Sequence, residues 1–277
     1  MESTASDRLA VLAHPQRLAV FRLLMRRHPD RLPAGEIAAA LHVAGSTLSA
    51  WLSALLRAGL VTQTRTGTSL RYGIDTKAVC LTFDYLMLDC CRGRPEICAP
   101  ALAAARNVGA SGSGGRHRVL FLCTGNSARS LMAEAILRDL AGHRFEACSA
   151  GTRPRGAPDP RALAVLVSWG HDVTALRTKP LAGFRQPDAP VFDVVLTLCD
   201  RAANEECPAW PGIPVSAHWG MPAPSREGAG PAAFADSYDL LRERIGALAS
   251  LPLGTLDRMG LQAAVDEMSR ITAGAHA

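Results

Sequence analysis

Apolar side chains recur every three to four positions early in the chain, where Leu9, Leu12, Leu18, Phe21, Leu24 and Met25 form one stripe. That is the period of an amphipathic helix. Pro33-Ala34-Gly35 interrupts the pattern, and a short helix is expected over Glu36–Leu41. Gly45-Ser46 then reads as a turn followed by an N-cap, opening a helix that runs to Arg57 with Leu48, Leu52, Leu55 and Leu56 inside. From Leu60 the period falls to two, and Leu60–Thr66 and Ser69–Ile74 around Thr66-Gly67-Thr68 predict a β-hairpin. Thr76–Leu88 predicts a closing helix. A short helix, a tight turn, a second helix and a hairpin together predict a winged helix-turn-helix, mostly α with one β-hairpin.

The pattern breaks at Val108–Gly115, which holds four Gly and two Ser in eight positions. This linker composition divides the 277 residues into 1–107, a linker at 108–115, and 116–277. Downstream, the buried strand Arg118–Leu122 runs through a turn into a helix at Leu131–Leu140, and strands and helices then alternate. The expected fold there is a three-layer α/β domain with a parallel sheet and a phosphate-binding loop at a strand's carboxyl end.

Charge follows the same division. Residues 1–115 carry 13 Lys+Arg against 8 Asp+Glu, and residues 116–277 carry 17 against 17, so the whole excess of +5 lies in the first part. A polyanionic partner is expected for that part alone. The open face of the second helix, Ser46, Thr47, Ser49 and Ser53, is expected in the major groove of DNA, with Arg65 and Arg71 of the hairpin near phosphates. No apolar run approaches the roughly 18 residues of a membrane span, so a cytoplasmic chain without membrane contact is expected. In that compartment the eight cysteines are candidates for metal, metalloid or redox chemistry.

Two groups of cysteines stand out. Cys123-Thr124-Gly125-Asn126-Ser127-Ala128-Arg129-Ser130 lies between a strand and a helix start. Such a turn forms an anion nest, with backbone N–H groups of residues 124–130 pointing inward under the helix dipole. Cys123 at its mouth would be held as a thiolate, Arg129 would grip two oxyanion oxygens, and Asn126 and Ser130 would brace the loop. Cys90, Cys91 and Cys98 follow the closing helix, and three thiolates suit the pyramidal geometry of As(III) or Sb(III). Zinc fits less well, because neither a nearby His nor a fourth Cys completes a tetrahedron. Three separately packed thiols are the plainer alternative. Cys80 is expected in the helical core and Cys148 buried and inert on a strand.

Two resemblances extend these readings. His14-Pro15-Gln16-Arg17-Leu18, Pro33 to Ala38, Ser46-Thr47-Leu48-Ser49, Arg57 to Val61 and Gly67 to Tyr72 resemble the ArsR family of dimeric winged-helix repressors. That resemblance implies a homodimer through the first domain and release of DNA when As(III) or Sb(III) binds Cys90, Cys91 and Cys98. Trp51 departs from the small or basic residue common in that family. The second part resembles the low-molecular-weight protein tyrosine phosphatases and the arsenate reductases of the same fold. It does so through the Cys123–Ser130 loop, Met132-Ala133-Glu134, Ser149 to Thr152, Phe192 to Asp200, Cys207 to Gly212 and His218-Trp219-Gly220. Cys199 and Cys207 supply the two further thiols a reductase needs. The resemblance thus implies arsenate reduction by Cys123, Arg129, Cys199 and Cys207, with no tightly bound cofactor and a thioredoxin-like reductant. Where the family usually carries an acid after His-Trp-Gly, this chain has Ala223. A tyrosine or small-molecule phosphatase and a non-catalytic oxyanion sensor are the alternatives.

Overall fold

The computed structural model describes residues 2–92, 94, 115–186, 188–205, 210, 212–226, 229–230 and 232–272. The chain separates into two compact units, one of residues 1–104 with 204–206 and one of residues 105–203 with 207–277.

In the first unit, α1 (Glu2–Leu12), α2 (Pro15–Arg27), α3 (Ala34–Leu41) and α4 (Gly45–Arg57) precede the hairpin β2 (Val61–Thr66) and β3 (Ser69–Ile74). Helices α3 and α4 meet at 111°, a helix-turn-helix angle. The two-residue strand β1 (Leu32–Pro33), not foreseen, adds to β3 through the pairs Leu32–Tyr72 and Pro33–Arg71. Helix α4 begins one residue before the expected cap: Ala44 is its N-cap and offers no side-chain hydrogen bond. The buried face of α2 is Val20, Phe21, Leu23 and Leu24, whereas Leu18 and Met25 are 39% and 43% exposed. The expected closing helix is α5 (Thr76–Asp84), which widens into a π-helical turn over Tyr85–Cys90. Cys80 lies on the exposed side of α5 rather than in the core. Arg8 of α1 locks this end of the fold by donating to the Ala58 and Ala78 carbonyls and to Thr82.

The second unit is built on four parallel strands: β4 (His117–Cys123), β5 (Phe145–Gly151), β6 (Val194–Thr197) and β7 (Val215–His218), in the order β5-β4-β6-β7. Helices α6 (Arg129–Ala141), α7 (Pro160–Ser168), α8 (Asp200–Asn204), α9 (Ala233–Ala249) and α10 (Arg258–Met268) connect and cover them. Side chains alternate along β4. Val119 and Phe121 enter one apolar cluster with Leu131, Ile136, Leu241 and Val265 of the helices. Leu120 and Leu122 enter another, with Leu181, Phe192 and Val195. Both faces of the sheet are therefore covered, as a parallel sheet requires. Strand order runs outward in both directions from β4, so the crevice beyond its carboxyl end is the topological switch point where such sheets bind ligands. Cys123 stands there.

Candidate active site

Cys123 ends β4, and the chain turns through residues 124–128 directly into α6. A strap over residues 152–159 fixes the turn. The N–H groups of Thr152, Arg153, Arg155 and Asp159 donate to the carbonyls of Cys123, Thr124, Gly125 and Ser127 at 3.1, 2.9, 2.9 and 2.8 Å. A trans peptide points its C=O and the following N–H in opposite directions. Turning these four carbonyls outward therefore turns the N–H groups of residues 124, 125, 126 and 128 into the loop, which makes the anion nest. Gly151 permits the close approach of β5, since a Cβ there would lie 2.8 Å from the Thr124 carbonyl oxygen.

The sulfur sits in a directed network. Asn126 N–H lies 3.1 Å from Cys123 Sγ, and Ser130 Oγ lies 3.0 Å from it. Asn126 Nδ2 donates to Ser130 Oγ (2.9 Å) and to Ser149 Oγ (2.8 Å), and Asn126 Oδ1 accepts Lys179 N–H (2.7 Å). Ser149 in turn bonds Glu134, whose carboxylate pairs with Lys179 Nζ at 2.7 Å. Because Ser130 Oγ accepts from Asn126, its own proton is left to point at the sulfur. Asn126 holds φ of +44°, a left-handed conformation that Asn tolerates better than most residues.

Arg129 spends Nη1 on two carbonyls, Leu198 (3.2 Å) and Met221 (2.8 Å). Its Nε–Nη2 edge, the fork that binds two oxyanion oxygens, remains for a ligand. Cys199 follows β6 and is buried against the loop, with Sγ 3.3 Å from Thr124 Oγ1 and in one cluster with Cys123 and Ala202. Cys123 and Cys199 are both free thiols. Cys207 lies outside the described residues. Cys148 on β5 is a half-buried thiol pushed up to about 11, chiefly by burial and further by the Glu134 and Glu146 carboxylates. Ala223 and Asp236 both line a cavity of about 380 Å³ beside Met221. Lys179 and the strap escaped sequence reasoning, because their contacts to the loop span tens of residues and no local pattern marks them.

In the first unit, Ser46, Thr47, Ser49 and Ser53 are exposed along α4, and Arg65 and Arg71 along the hairpin. The Ser49 hydroxyl donates back to the Gly45 carbonyl at 2.8 Å, which leaves its oxygen to accept. Arg71 donates to the Arg31 carbonyl at 3.2 Å. Trp51 is half-buried against the core, with its ring centroid 6.4 Å from that of His14. Cys90 is free and exposed, Cys91 is disulfide-bonded, and Cys98 lies outside the described residues. No group of three potential metal ligands occurs among the described residues. No single helix among them is long and apolar enough to cross a membrane.

These features define an anion-binding cysteine loop on a parallel sheet, carried by a chain that also holds a helix-turn-helix. The profile of the family described as low molecular weight phosphotyrosine protein phosphatase matches residues 118–259, just over half of the 277 residues, and a helix-turn-helix domain profile matches residues 12–64. The chain belongs to that phosphatase family. An arsenate reductase of Halalkalibacterium halodurans is 34% identical over 108 residues, 39% of this chain and 74% of that protein. An arsenate reductase of Bacillus cereus strain 03BB102 is 34% identical over 133 residues, 47% of this chain and 92% of that protein. A solved arsenate reductase in its oxidized state aligns with a TM-score of 0.42 at 26% identity, over 48% of this chain and 96% of that one.

Proposed function

We propose that the chain is an arsenite-responsive, DNA-binding repressor fused to an arsenate reductase. The observation that carries the enzymatic half is a second free thiol, Cys199, seated against the loop that holds Cys123. A phosphatase has no use for that thiol, and a reductase needs it.

In this reading the loop N–H groups and the Arg129 fork bind arsenate, and the Cys123 thiolate attacks arsenic, expelling water. Cys199 then attacks the Cys123 sulfur. The S–S bond forms as the S–As bond breaks, and its electron pair stays on arsenic, which leaves as arsenite. Cys207 displaces Cys123 from Cys199, and an external dithiol of the thioredoxin kind reduces the resulting Cys199–Cys207 disulfide. Two thiols thus supply both electrons, and no tightly bound cofactor takes part. Arsenite, or Sb(III), is the effector for Cys90, Cys91 and Cys98 in a dimeric first domain on operator DNA. Cys91 would first have to be freed from its disulfide. The setting that keeps these thiols reduced is the cytoplasm.

Full-length chain with thioredoxin, thioredoxin reductase and NADPH should form arsenite from arsenate over many turnovers. An absence of arsenite, with arsenate still bound, would establish the second reading, a non-catalytic oxyanion sensor, which Ala223 at the usual acid position favours.

A further inference from the structure

Thr197 and Asp200 flank Leu198-Cys199, and both of their side chains end on one imidazole. His218 Nδ1 lies 2.8 Å from Thr197 Oγ1, and Nε2 lies 3.0 Å from Asp200 Oδ1. A carboxylate only accepts, so in the neutral ring Nε2 carries the proton and Nδ1 accepts the Thr197 hydroxyl. The ring is held on a fixed base. Trp219 N–H donates to the Thr197 carbonyl at 2.8 Å, its indole donates to the Val265 carbonyl at 2.9 Å, and buried Arg244 donates to the Trp219 carbonyl at 3.1 Å. Gly220 keeps the bond to Asp200 open, since a Cβ there would lie 2.5 Å from His218 Nε2 and 3.1 Å from Asp200 Oδ1. The His218 side chain is fully buried, while that of Asp200 is 62% exposed.

We propose that His218 is a positioning residue for the second thiol: by gripping both flanks of Cys199, it holds that sulfur in line with the Cys123 loop. The inference rests on the arsenate-reduction reading and adds to it the residue that aims the disulfide-forming step. In that step the Cys199 sulfur must approach the Cys123 sulfur opposite the breaking S–As bond. Displacements of this kind are sensitive to alignment, and a misplacement of about 1 Å costs on the order of 100-fold in rate. His218 touches no reacting atom and acts through Thr197 and Asp200.

The test uses the full chain carrying Cys207→Ser, so that the reaction stops at the Cys123–Cys199 disulfide. Reduced protein is mixed rapidly with arsenate, quenched, alkylated and read by mass spectrometry. His218→Leu breaks the grip at its buried centre, and Asp200→Ala breaks it at its exposed end, where folding is least at risk. Both should slow disulfide formation at saturating arsenate about tenfold or more and leave the half-saturating arsenate concentration unchanged. His218→Gln, which returns an N–H donor near the Nε2 position, should recover most of the rate. Rates within twofold of the parent for both variants, a loss confined to arsenate affinity, or a Gln variant as slow as Leu would each overturn the assignment. If the Cys207→Ser parent itself forms no Cys123–Cys199 disulfide, the relay reading has failed and the inference falls with it. A parent that forms the disulfide beside unaffected variants removes His218 alone.

Discussion

Replacing Asn126 by Ala tests the network that shapes the Cys123 loop. The side chain makes three hydrogen bonds, buried ones to Ser130 and Ser149 and a partly buried one to Lys179 N–H, and all three would disappear together. At about 1 kcal/mol each, with their partners left buried, this costs roughly 3 kcal/mol. Alanine at φ of +44° adds about 1 kcal/mol, because a left-handed backbone disfavours an ordinary Cβ. The expected loss of about 4 kcal/mol is a large share of the roughly 5–15 kcal/mol that stabilises a domain. Asn126→Gly should lose about 1 kcal/mol less than Ala, since glycine takes that φ freely. Guanidinium unfolding followed by tryptophan fluorescence in a Trp51→Phe background reports the second unit alone, through Trp169, Trp210 and Trp219. An Ala variant within 1 kcal/mol of its parent would refute the network as the loop's support. Equal losses for Ala and Gly would refute the backbone contribution.

Arg65→Ala with Arg71→Ala should weaken DNA binding on every sequence and flatten its salt dependence by about 0.9 log unit for each phosphate left unneutralised, and an unchanged slope in a titration counts against the wing assignment. Cys90→Ser should leave the chain on its operator at arsenite concentrations that release the wild type, and release at the same concentration removes Cys90 from the sensor. Cys207→Ser should stop after one turnover with a Cys123–Cys199 disulfide, and sustained arsenite production would place the resolving thiol elsewhere. His117 has its pKa lowered by burial, against an opposing pull from Asp193. The unfolded state then binds the extra proton first, so stability is full above the ordinary value of 6.5 and is lost as pH falls below it. His117→Gln should flatten that acid limb in denaturation measured from pH 5 to 7.

What the sequence revealed was whatever is encoded over a few neighbouring residues. The hairpin around Gly67 and the strand-turn-helix around Cys123 were legible because period, turn chemistry and spacing are local properties. On α2 the expected stripe and the buried face are one step out of phase. Periodicity finds the amphipathic helix, but its packing partners decide which edge is covered, and here they bury Val20 and Leu23 and leave Leu18 and Met25 exposed. Strand β1 is two residues long and exists only through its pairing with β3, so nothing in residues 32–33 alone announces it. Lys179 reaches the loop across 53 residues of chain, and the parallel sheet that joins them is a tertiary fact.

In the proposed relay, Cys148 is a poor candidate for the resolving thiol on chemical grounds. Attack on a disulfide requires thiolate, and the rate falls with its fraction. Cys148 is on the strand next to Cys123, but burial and two carboxylates push it up to about 11. At pH 7 such a thiol is only about one part in ten thousand thiolate. The two carboxylates that suppress it are not incidental. Glu134 is the anchor of the Ser149–Asn126–Ser130 chain behind Cys123, and Glu146 is paired with Arg118 at 3.1 Å. Burial thus does most to keep Cys148 protonated and Glu134 of the loop network adds to it, while Cys199 is a free thiol placed against the loop. It follows that a chain lacking Cys207 has no ready internal substitute in Cys148. The Cys123–Cys199 disulfide should therefore persist in Cys207→Ser until an external thiol is supplied.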